Sequence, residues 1–522
     1  MLRLSTIIPI KNVREYIEES LSTVISQSLK DREVILIDDG STDGSDEYAK
    51  SLADKYDWVR FIRTDERGPG GARNAGIGIA EGKYINFADA DDIVPEHAYE
   101  RMYQEAERSG ADCVIGRAVR MYEETGAVRP SWLHEKVYSE YRHETNIREY
   151  PYLVYDTTLW NKMVRRDFWV ENGIVFPEKT PYQDIPGTFR MHYSADKISM
   201  IDDVVYVWRI RGGDNRSLTQ QKLRLDNLKA RLSMIGLVDK FVRENVTEES
   251  VIEAKRIKWL DTDLKSFMSE IVGMDEEPAL KAMDMLRGYL EDSDLKETLS
   301  VMPVIVHEQY KALMDGDLAR LKKLRLFETD GLRYVPSKRE DCDIIGIFPE
   351  DIIKGGSASL GTTIDHEHLT QGVTRIEIGS GGYKIYGYAF LCHQPAASRF
   401  ENHLKAYIIR TNGECVAEVK VKRHGSRAAA KKGVDENGSS TCNYYGSGYT
   451  IYVGRKTLAS LESGRYHIRL RWRAHGQERD TTVKGLSRKA IEELGKTLIK
   501  TEDGRKTEIT AGLRKEPEIT VS

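Results

Sequence analysis

The sequence predicts an α/β protein with a mostly parallel sheet, followed by a helical segment and an all-β sandwich. Three observations predict this. Over residues 1–220, continuous apolar runs alternate with amphipathic helical stretches, the pattern of a sheet covered on both faces. Over 221–339, apolar residues recur at steps of three and four, the period of a helix face. From 340 to 522, short alternating runs are punctuated by Gly, Asn and Ser, as in a β-sandwich. We therefore divide the chain into an α/β domain (1–220), a helical connector (221–339) and a β-sandwich domain (340–522).

In the first region, 4–9 reads as a strand and 13–28 as an amphipathic helix. Residues 34–37 form an apolar strand that runs into Asp38 and Asp39, followed by a helix at 46–56 and a strand at 59–63. A helix at 70–80 and a strand at 84–87, ending at Asp89, complete the pattern. Ligands bind such sheets beyond the carboxyl ends of the strands, where both acidic clusters fall. In the connector, Ile257, Leu260, Leu264, Phe267 and Ile271 mark one face, and Leu280, Met283, Leu286, Leu290, Leu318, Leu321 and Leu324 continue it as core. In the third region, strands are expected at 384–390, 404–410, 415–421, 449–453 and 466–472, with Thr411-Asn412-Gly413 as a hairpin turn.

Composition excludes several functions. Lys plus Arg is 78 and Asp plus Glu 83, a net charge of −5, so no global excess of cations suits a nucleic acid. No apolar run reaches the ~18–20 residues that span a bilayer. The apolar start of the chain reads as a buried strand rather than a signal peptide. The five cysteines, Cys113, Cys342, Cys392, Cys415 and Cys442, contain no CxxC pair, which favours a reducing compartment and no zinc site. The expectation is a cytoplasmic protein, with room for a peripheral contact at the inner face of the membrane.

Three clusters carry chemistry. In Asp38-Asp39-Gly40-Ser41-Thr42-Asp43, Asp38 and Asp43 suit turn closure and helix capping, and a carboxylate at this edge also suits the imino group of a nucleobase such as uracil. In Gly68-Pro69-Gly70-Gly71-Ala72-Arg73-Asn74-Ala75-Gly76, the glycines allow close backbone approach and a helix start offers N–H groups to a phosphate. Arg73 adds a charge for a base or diphosphate. The third cluster, Asp89-Ala90-Asp91-Asp92, places three mutually repelling carboxylates directly after an apolar strand. A divalent cation offsets that repulsion, and all-oxygen ligands select Mg2+ or Mn2+. Asp89 is expected on the ribose side and Asp91 on the metal, with Asp92 as the runner-up ligand or a cap of the following turn.

The order of these elements, a strand ending at Pro9, then Asp-Asp-Gly-Ser, Gly-x-x-x-Arg-Asn and Asp-x-Asp-Asp, resembles the GT-A glycosyltransferases of family 2 over residues 3–220. Asn161-Lys162-Met163-Val164-Arg165, Phe176-Pro177-Glu178, Tyr182-Gln183-Asp184 with Phe189, and Arg209 through Ser217 further resemble the wall teichoic acid glycosyltransferases of bacteria. The resemblance implies a GT-A catalytic domain, a helical connector and an immunoglobulin-like β region. It implies an inverting, metal-dependent transfer from a UDP-sugar, such as UDP-N-acetylglucosamine or UDP-glucose, to an anionic polymer such as poly(ribitol phosphate), and a homo-oligomer, a trimer in that group. It implies a nucleotide-sugar site of Pro9, Asp39, Arg73, Asp89, Arg211 and Ser217, a metal on Asp91, and Asp184 as the base that takes the acceptor proton. Two residues depart from the pattern: Gln183 stands where a glutamate is usual, and Asn215 where a histidine is expected. The alternatives are a capsule or exopolysaccharide transferase of the same fold, and a non-catalytic carbohydrate-binding scaffold. His366 and His368 read as a polar loop, because no further ligand has suitable spacing. Lys420, Lys422, Arg423, Arg427, Lys431 and Lys432 form a basic stretch that reads as a solvated loop or as a docking strip for a polyanion.

Overall fold

The computed structural model describes residues 2–138, 142–212, 224–331, 335, 337–340, 343–359, 370–379, 381–390, 403–410, 414–430, 445–474, 477–483, 499–500, 506–511 and 517–521. The chain divides into two compact units, Met1–Leu299 and Ser300–Ser522.

The first unit begins with β1 (Leu4–Ile10), α1 (Ile17–Ile25), β2 (Arg32–Asp38), α2 (Ser45–Lys55), β3 (Val59–Arg63), α3 (Gly68–Ile79) and β4 (Tyr84–Phe87). Then come α4 (Ala98–Ser109), β5 (Cys113–Tyr122), β6 (Ala127–Pro130), α5 (Trp132–Val137) and β7 (Glu144–Thr145). They are followed by β8 (Lys162–Arg165), α6 (Arg166–Glu171), α7 (Asp184–Ser194) and β9 (Ile198–Ile210). The sheet runs β3-β2-β1-β4-β8-β5-β9-β7, with β6 beside β5. β1 is parallel to both β2 and β4, and β2 to β3. β8 is antiparallel to its neighbours β4 and β5, whereas β9 is parallel to β5. The strand order reverses between β1 and β4, so the crevice at their carboxyl ends is the topological switch point, where ligands of such sheets bind.

Apolar runs make the sheet because both of its faces are covered. Leu4, Ile7, Ile8 and Ile10 of β1 are all buried, as are Val34, Ile35, Leu36 and Ile37 of β2. The first helix starts four residues later than its apolar pattern suggests, because Asn12 takes a left-handed conformation, φ 49°, that opens a loop. α3 lies unusually close to the sheet. A Cβ on Gly76 would stand 2.6 Å from Ile7 Cγ2 and 3.0 Å from Ile37 Cδ1.

The unit closes with helices α8 (Leu225–Asn245) and α9 (Glu249–Lys258), a π turn (Trp259–Leu264), α10 (Lys265–Ile271) and α11 (Glu276–Asp292). Leu260, Leu264, Phe267, Ile271, Met283, Leu286 and Leu290 are buried as expected, but Leu280 is exposed. The π turn adds a residue to the helix and shifts its phase. Lys258 and Trp259 point inward in place of Ile257.

In the second unit, α12 (Val304–Asp315) and α13 (Leu318–Leu326) precede a small sheet of β10 (Ser337–Glu340), β11 (Asp343–Ile347) and β12 (Ser357–Ser359). The larger antiparallel sheet is built from β13 (Thr370–Gly379), β14 (Gly382–Phe390), β15 (His403–Arg410), β16 (Cys415–His424), β17 (Gly448–Gly454), β18 (Gly464–Ala474) and β19 (Gln477–Thr482). β20 (Ile499–Lys500), β21 (Lys506–Ala511) and β22 (Pro517–Val521) complete it. β16 turns a corner: Cys415 to Val419 pair with β15, and Lys420 to His424 pair with β17. Tyr466, Ile468, Leu470 and Trp472 face the core, so Arg465, Arg469, Arg471 and Arg473 alternate onto the other face of β18. The fold class read from the sequence is thus the one observed. The Thr411-Asn412-Gly413 turn, His366, His368, Lys431 and Lys432 lie outside the described residues. No helix among the described residues is long and apolar enough to cross a membrane.

The close packing of α3 yields a paired expectation. Gly76→Ala should destabilise the protein by about 1–3 kcal/mol, the usual cost of forcing a methyl into a filled core. Gly78→Ala meets nothing within 4 Å and should be neutral or stabilising by up to about 1 kcal/mol, since alanine favours helix over glycine. Urea unfolding of both variants checks the contrast.

Candidate active site

Asp38 closes the turn after β2. Its carboxylate accepts the backbone N–H of Gly40 and Ser41, each at 3.1 Å, and pairs with Arg63 at 3.3 Å. Asp43 holds the next turn, accepting the Ser45 hydroxyl at 2.6 Å and the Arg14 N–H at 2.9 Å. Asp39 reaches across to the start of α3. It accepts the N–H of Arg67 and Gly68, both at 2.8 Å, and the Thr64 hydroxyl at 2.7 Å. The candidate uracil ligand therefore also satisfies donors at a helix N-terminus. Lys11, which the sequence reading did not single out, ties this loop to β1 by donating to the carbonyls of Asp39 and Gly40 at 2.8 Å each.

The glycine-rich segment serves packing first. A Cβ on Gly70 would stand 2.1 Å from the Pro177 carbonyl oxygen and 2.8 Å from Gln183 Cγ. The close backbone approach expected of these glycines is made by the protein's own 177–183 loop. That contact seats the loop carrying Asp184 against α3. Arg73, on the buried side of α3, donates to Asp89 at 2.6 Å.

The acidic cluster after β4 is held by β9. Asp92 is buried and fully used: Oδ1 accepts the Arg209 N–H at 2.7 Å and Oδ2 the Tyr206 hydroxyl at 2.9 Å. Tyr206 in turn accepts the Asp89 N–H at 2.9 Å and stacks on Trp160 with ring centres 4.3 Å apart. Asp92, expected as the runner-up ligand or as a cap of the following turn, does neither job here and spends both carboxylate oxygens on β9. Asp91 pairs with Arg211, whose guanidinium lies 4.5 Å from the ring centre of Tyr16. Burial pushes the Asp91 carboxyl up, Arg211 opposes this, and Asp89 adds to it. Burial, then Asp91 and Asp89, push the Asp92 carboxyl well up. Arg211, expected at a diphosphate, is the counter-ion of the Asp91 carboxylate in this structure. Arg209 stood at the head of the Arg209 through Ser217 motif, whereas Tyr206 carried no signal in the sequence.

Asp184 is the first residue of α7. The Gln183 side chain is the cap: its amide oxygen accepts the Asp184 N–H at 2.9 Å. An uncharged amide oxygen is thus enough to supply the acceptor that the start of this helix needs. Burial pushes the Asp184 carboxyl up; Arg73 and then Arg231 pull it down, and Asp89 pushes it up again. The fold thus gathers Asp89, Arg73 and Asp184 from three separate segments into one electrostatic neighbourhood. Pro9 sits in β1 opposite Ile37, and Ser217 and Asn215 lie outside the described residues.

Among the described residues no group of three or more His, Cys, Asp or Glu side chains is arranged to hold a metal ion. The donor chemistry still fits Mg2+ or Mn2+, which are held by one or two carboxylates while substrate phosphates and water complete the shell. Asp91 is the carboxylate suited to it, since both oxygens of Asp92 are taken.

The class that this sheet and its acidic edge define is a GT-A-type α/β domain. Residues 5–170 match the family described as glycosyl transferase family 2. The chain is 30% identical over 236 residues to an uncharacterised glycosyltransferase, YibD, of Escherichia coli, covering 42% of this chain and 67% of that protein. It is 28% identical over 315 residues to the cholesterol galactosyltransferase of Borreliella burgdorferi, covering 56% of this chain and 86% of the relative. It is 27% identical over 223 residues to the poly(ribitol-phosphate) beta-glucosyltransferase of Bacillus spizizenii, covering 42% and 34%. The chain belongs to glycosyl transferase family 2 and is a glycosyltransferase. In fold it is similar to S. aureus TarS, with a TM-score of 0.53 at 13% identity over 100% of this chain and 85% of that one. The 1–349 segment of TarS in complex with UDP-GlcNAc gives 0.54 at 18% identity, covering 69% of this chain and 99% of that one.

Asp92→Ala should cost about 2 kcal/mol or more, because it leaves the Arg209 N–H and Tyr206 hydroxyl buried without their acceptor. The pH dependence has a definite sign. A carboxyl whose folded pKa is raised contributes stability that is fully present below its unfolded pKa and lost as pH rises through the folded value. The deficit of Asp92→Ala relative to wild type should therefore shrink as pH rises, which denaturant titrations across the pH range will read.

Proposed function

We propose that the chain is an inverting, metal-dependent transferase that moves a sugar from a UDP-sugar to a hydroxyl of a cell-envelope polymer such as wall teichoic acid. The observation that carries this reading is the convergence of Asp89, Arg73 and Asp184 beside the Asp91–Arg211 pair at the switch point of the sheet. The relative acting on poly(ribitol phosphate) and the UDP-GlcNAc complex of TarS support the choice of acceptor and donor.

In this reading Asp39 accepts the uracil imino proton, Pro9 lines the base, and Asp89 holds the ribose. Arg73, Arg211 and Ser217 face the diphosphate. Asp184 takes the proton from the acceptor hydroxyl as its oxygen attacks the anomeric carbon from the side opposite the leaving group. A carboxylate raised by burial is a stronger base than one in water, and it remains ionised once the pH exceeds its raised pKa. Arg73 lies between the donor side, through Asp89, and the base, so it neutralises both carboxylates without consuming either. Asp91 would hold Mg2+ or Mn2+, which supplies positive charge to the departing diphosphate.

The second unit suits attachment to the polymer or self-assembly, including a homotrimer. On the outer face of its sheet, Lys405 registers with Arg471 and Tyr407 with Arg469, while Lys420 registers with Tyr452. Cations interleaved with tyrosines suit an anionic glycan or phosphate chain. The proposed setting is the cytoplasmic face of the membrane, where UDP-sugars and nascent polymer meet.

A panel of UDP-sugars, assayed for UDP release with and without poly(ribitol phosphate), tests the reading. Stimulation of one donor by the polymer is expected; no turnover with any UDP-sugar rejects it. Asp184→Asn should lower transfer by about 10²-fold or more with donor affinity little changed. Normal transfer by saturated Asp184→Asn would remove the base assignment. Asp91→Asn should abolish turnover while its melting temperature stays close to wild type, and EDTA should inhibit the wild type. Full activity in either case would remove the metal from the mechanism.

A further inference from the structure

The base loop does not rest on the α/β sheet alone. Tyr182, two residues before Asp184, holds a left-handed backbone, φ 62°, which is strained for a residue with a bulky side chain. The residue is 8% exposed, and its buried hydroxyl has no hydrogen-bond partner among the described residues. The guanidinium of Arg231, on α8, lies 4.8 Å from the ring centre. Arg231 is itself clamped: its Nε donates to Asp263 Oδ1 at 2.8 Å, and Lys258 donates to the other oxygen, Oδ2, at 2.7 Å. Lys258 and Asp263 are almost wholly buried, and Asp263 sits in the π turn, an irregularity that often marks a working site. None of Arg231, Lys258 and Asp263 lies within the 5–170 segment that matches the family.

We propose that Arg231 is a positioning residue for the candidate base: it seats the 179–183 loop through Tyr182 and faces the Asp184 carboxylate with a fixed positive charge from the helical segment. This rests on the reading of Asp184 as the base. The charged and titratable groups that face Asp184 are Arg73 on α3, Asp89 after β4, Tyr182 in its own loop, Arg231 on α8 and Lys258 on α9, with Asp263 behind Arg231. Arg73 serves Asp89 as well as Asp184, and Arg231 is the second cation that lowers the Asp184 carboxyl, supplied from the helical segment. Burial pulls the Lys258 ammonium down to about 8, and Asp184 and Asp263 both oppose that, so the helical segment and the base share one titration network.

The sign follows from the charge. Arg231 favours the ionised carboxylate. Its loss should raise the Asp184 pKa further and move the acidic limb of the activity profile to higher pH. Arg231→Gln removes the charge and keeps a donor for Asp263. Arg231→Met keeps apolar cover over Tyr182 and serves if the glutamine variant does not fold. In both, Asp263 retains Lys258 as its partner. Carbon-13 carboxyl NMR of aspartate-labelled full-length protein reads the midpoint directly, with the Asp184 signal assigned by its loss in Asp184→Asn. The midpoint should rise by about one pH unit or more in either neutral variant, the usual scale for losing a nearby opposite charge. It should return towards wild type in Arg231→Lys, and the acidic limb of kcat should move with it while KM for the UDP-sugar holds. A folded neutral variant with an unmoved midpoint overturns the proposal, even if its activity falls. If Asp184→Asn turns over normally, the base reading and this proposal fail together. If Asp184→Asn is inactive and the midpoint does not move, the role of Arg231 alone fails.

Discussion

Three carboxylates within four residues at the end of a buried strand, two of them desolvated, are the constraint around which the first unit is arranged. Their repulsion has to be met by something, and the fold meets it differently at each position. Asp89 receives Arg73 from a helix, Asp91 receives Arg211 from beyond the far strand, and Asp92 receives a backbone N–H and a tyrosine hydroxyl. The division is a division of labour. Asp92 is neutralised by hydrogen bonds that no ligand replaces, so it anchors β9. Asp89 and Asp91 are paired instead with the guanidinium groups of Arg73 and Arg211, charged partners brought from other segments of the chain.

The same logic extends to Asp184. It is desolvated, and its compensation comes from two arginines on elements remote in sequence, Arg73 and Arg231. The strained loop before it is held from one side by the missing Cβ of Gly70 against Pro177 and from the other by Arg231 over Tyr182. The placement of Asp184 therefore depends on a glycine whose role is steric and on a segment of helices outside the α/β sheet.

Much of the site was legible in the amino-acid order. Continuous apolar runs gave the strands, because a sheet covered on both faces needs no polar alternation. Carboxylates directly after such runs fall at the ligand edge because strand polarity puts them there. Arg73 and Asp89, in adjacent motifs, are brought together by the β–α–β connection. What was not legible was the use of each acceptor. Asp39, read as a base ligand, also caps α3, and the glycines read as a phosphate cradle pack against the 177–183 loop. Lys11, Tyr206 and Arg231 carry no local signature. Their roles arise from what faces them across the sheet or from a helix.

The sequence by itself determined the order of strands and helices as far as β4, the acidic edge and the family of the chain, because those follow from local periodicity and from motif spacing. Only the tertiary structure decided which carboxylate is held by hydrogen bonds and which are paired with arginines, because that depends on donors supplied by β9, α3 and α8. The π turn shows the same limit on a smaller scale. One inserted residue rotates the helix face, replaces Ile257 with Lys258 in the interior and so brings a buried cation to Asp263. Periodicity extrapolated along a regular helix has no means of registering that rotation, since the backbone hydrogen-bond shift that produces it is set by packing and not by composition.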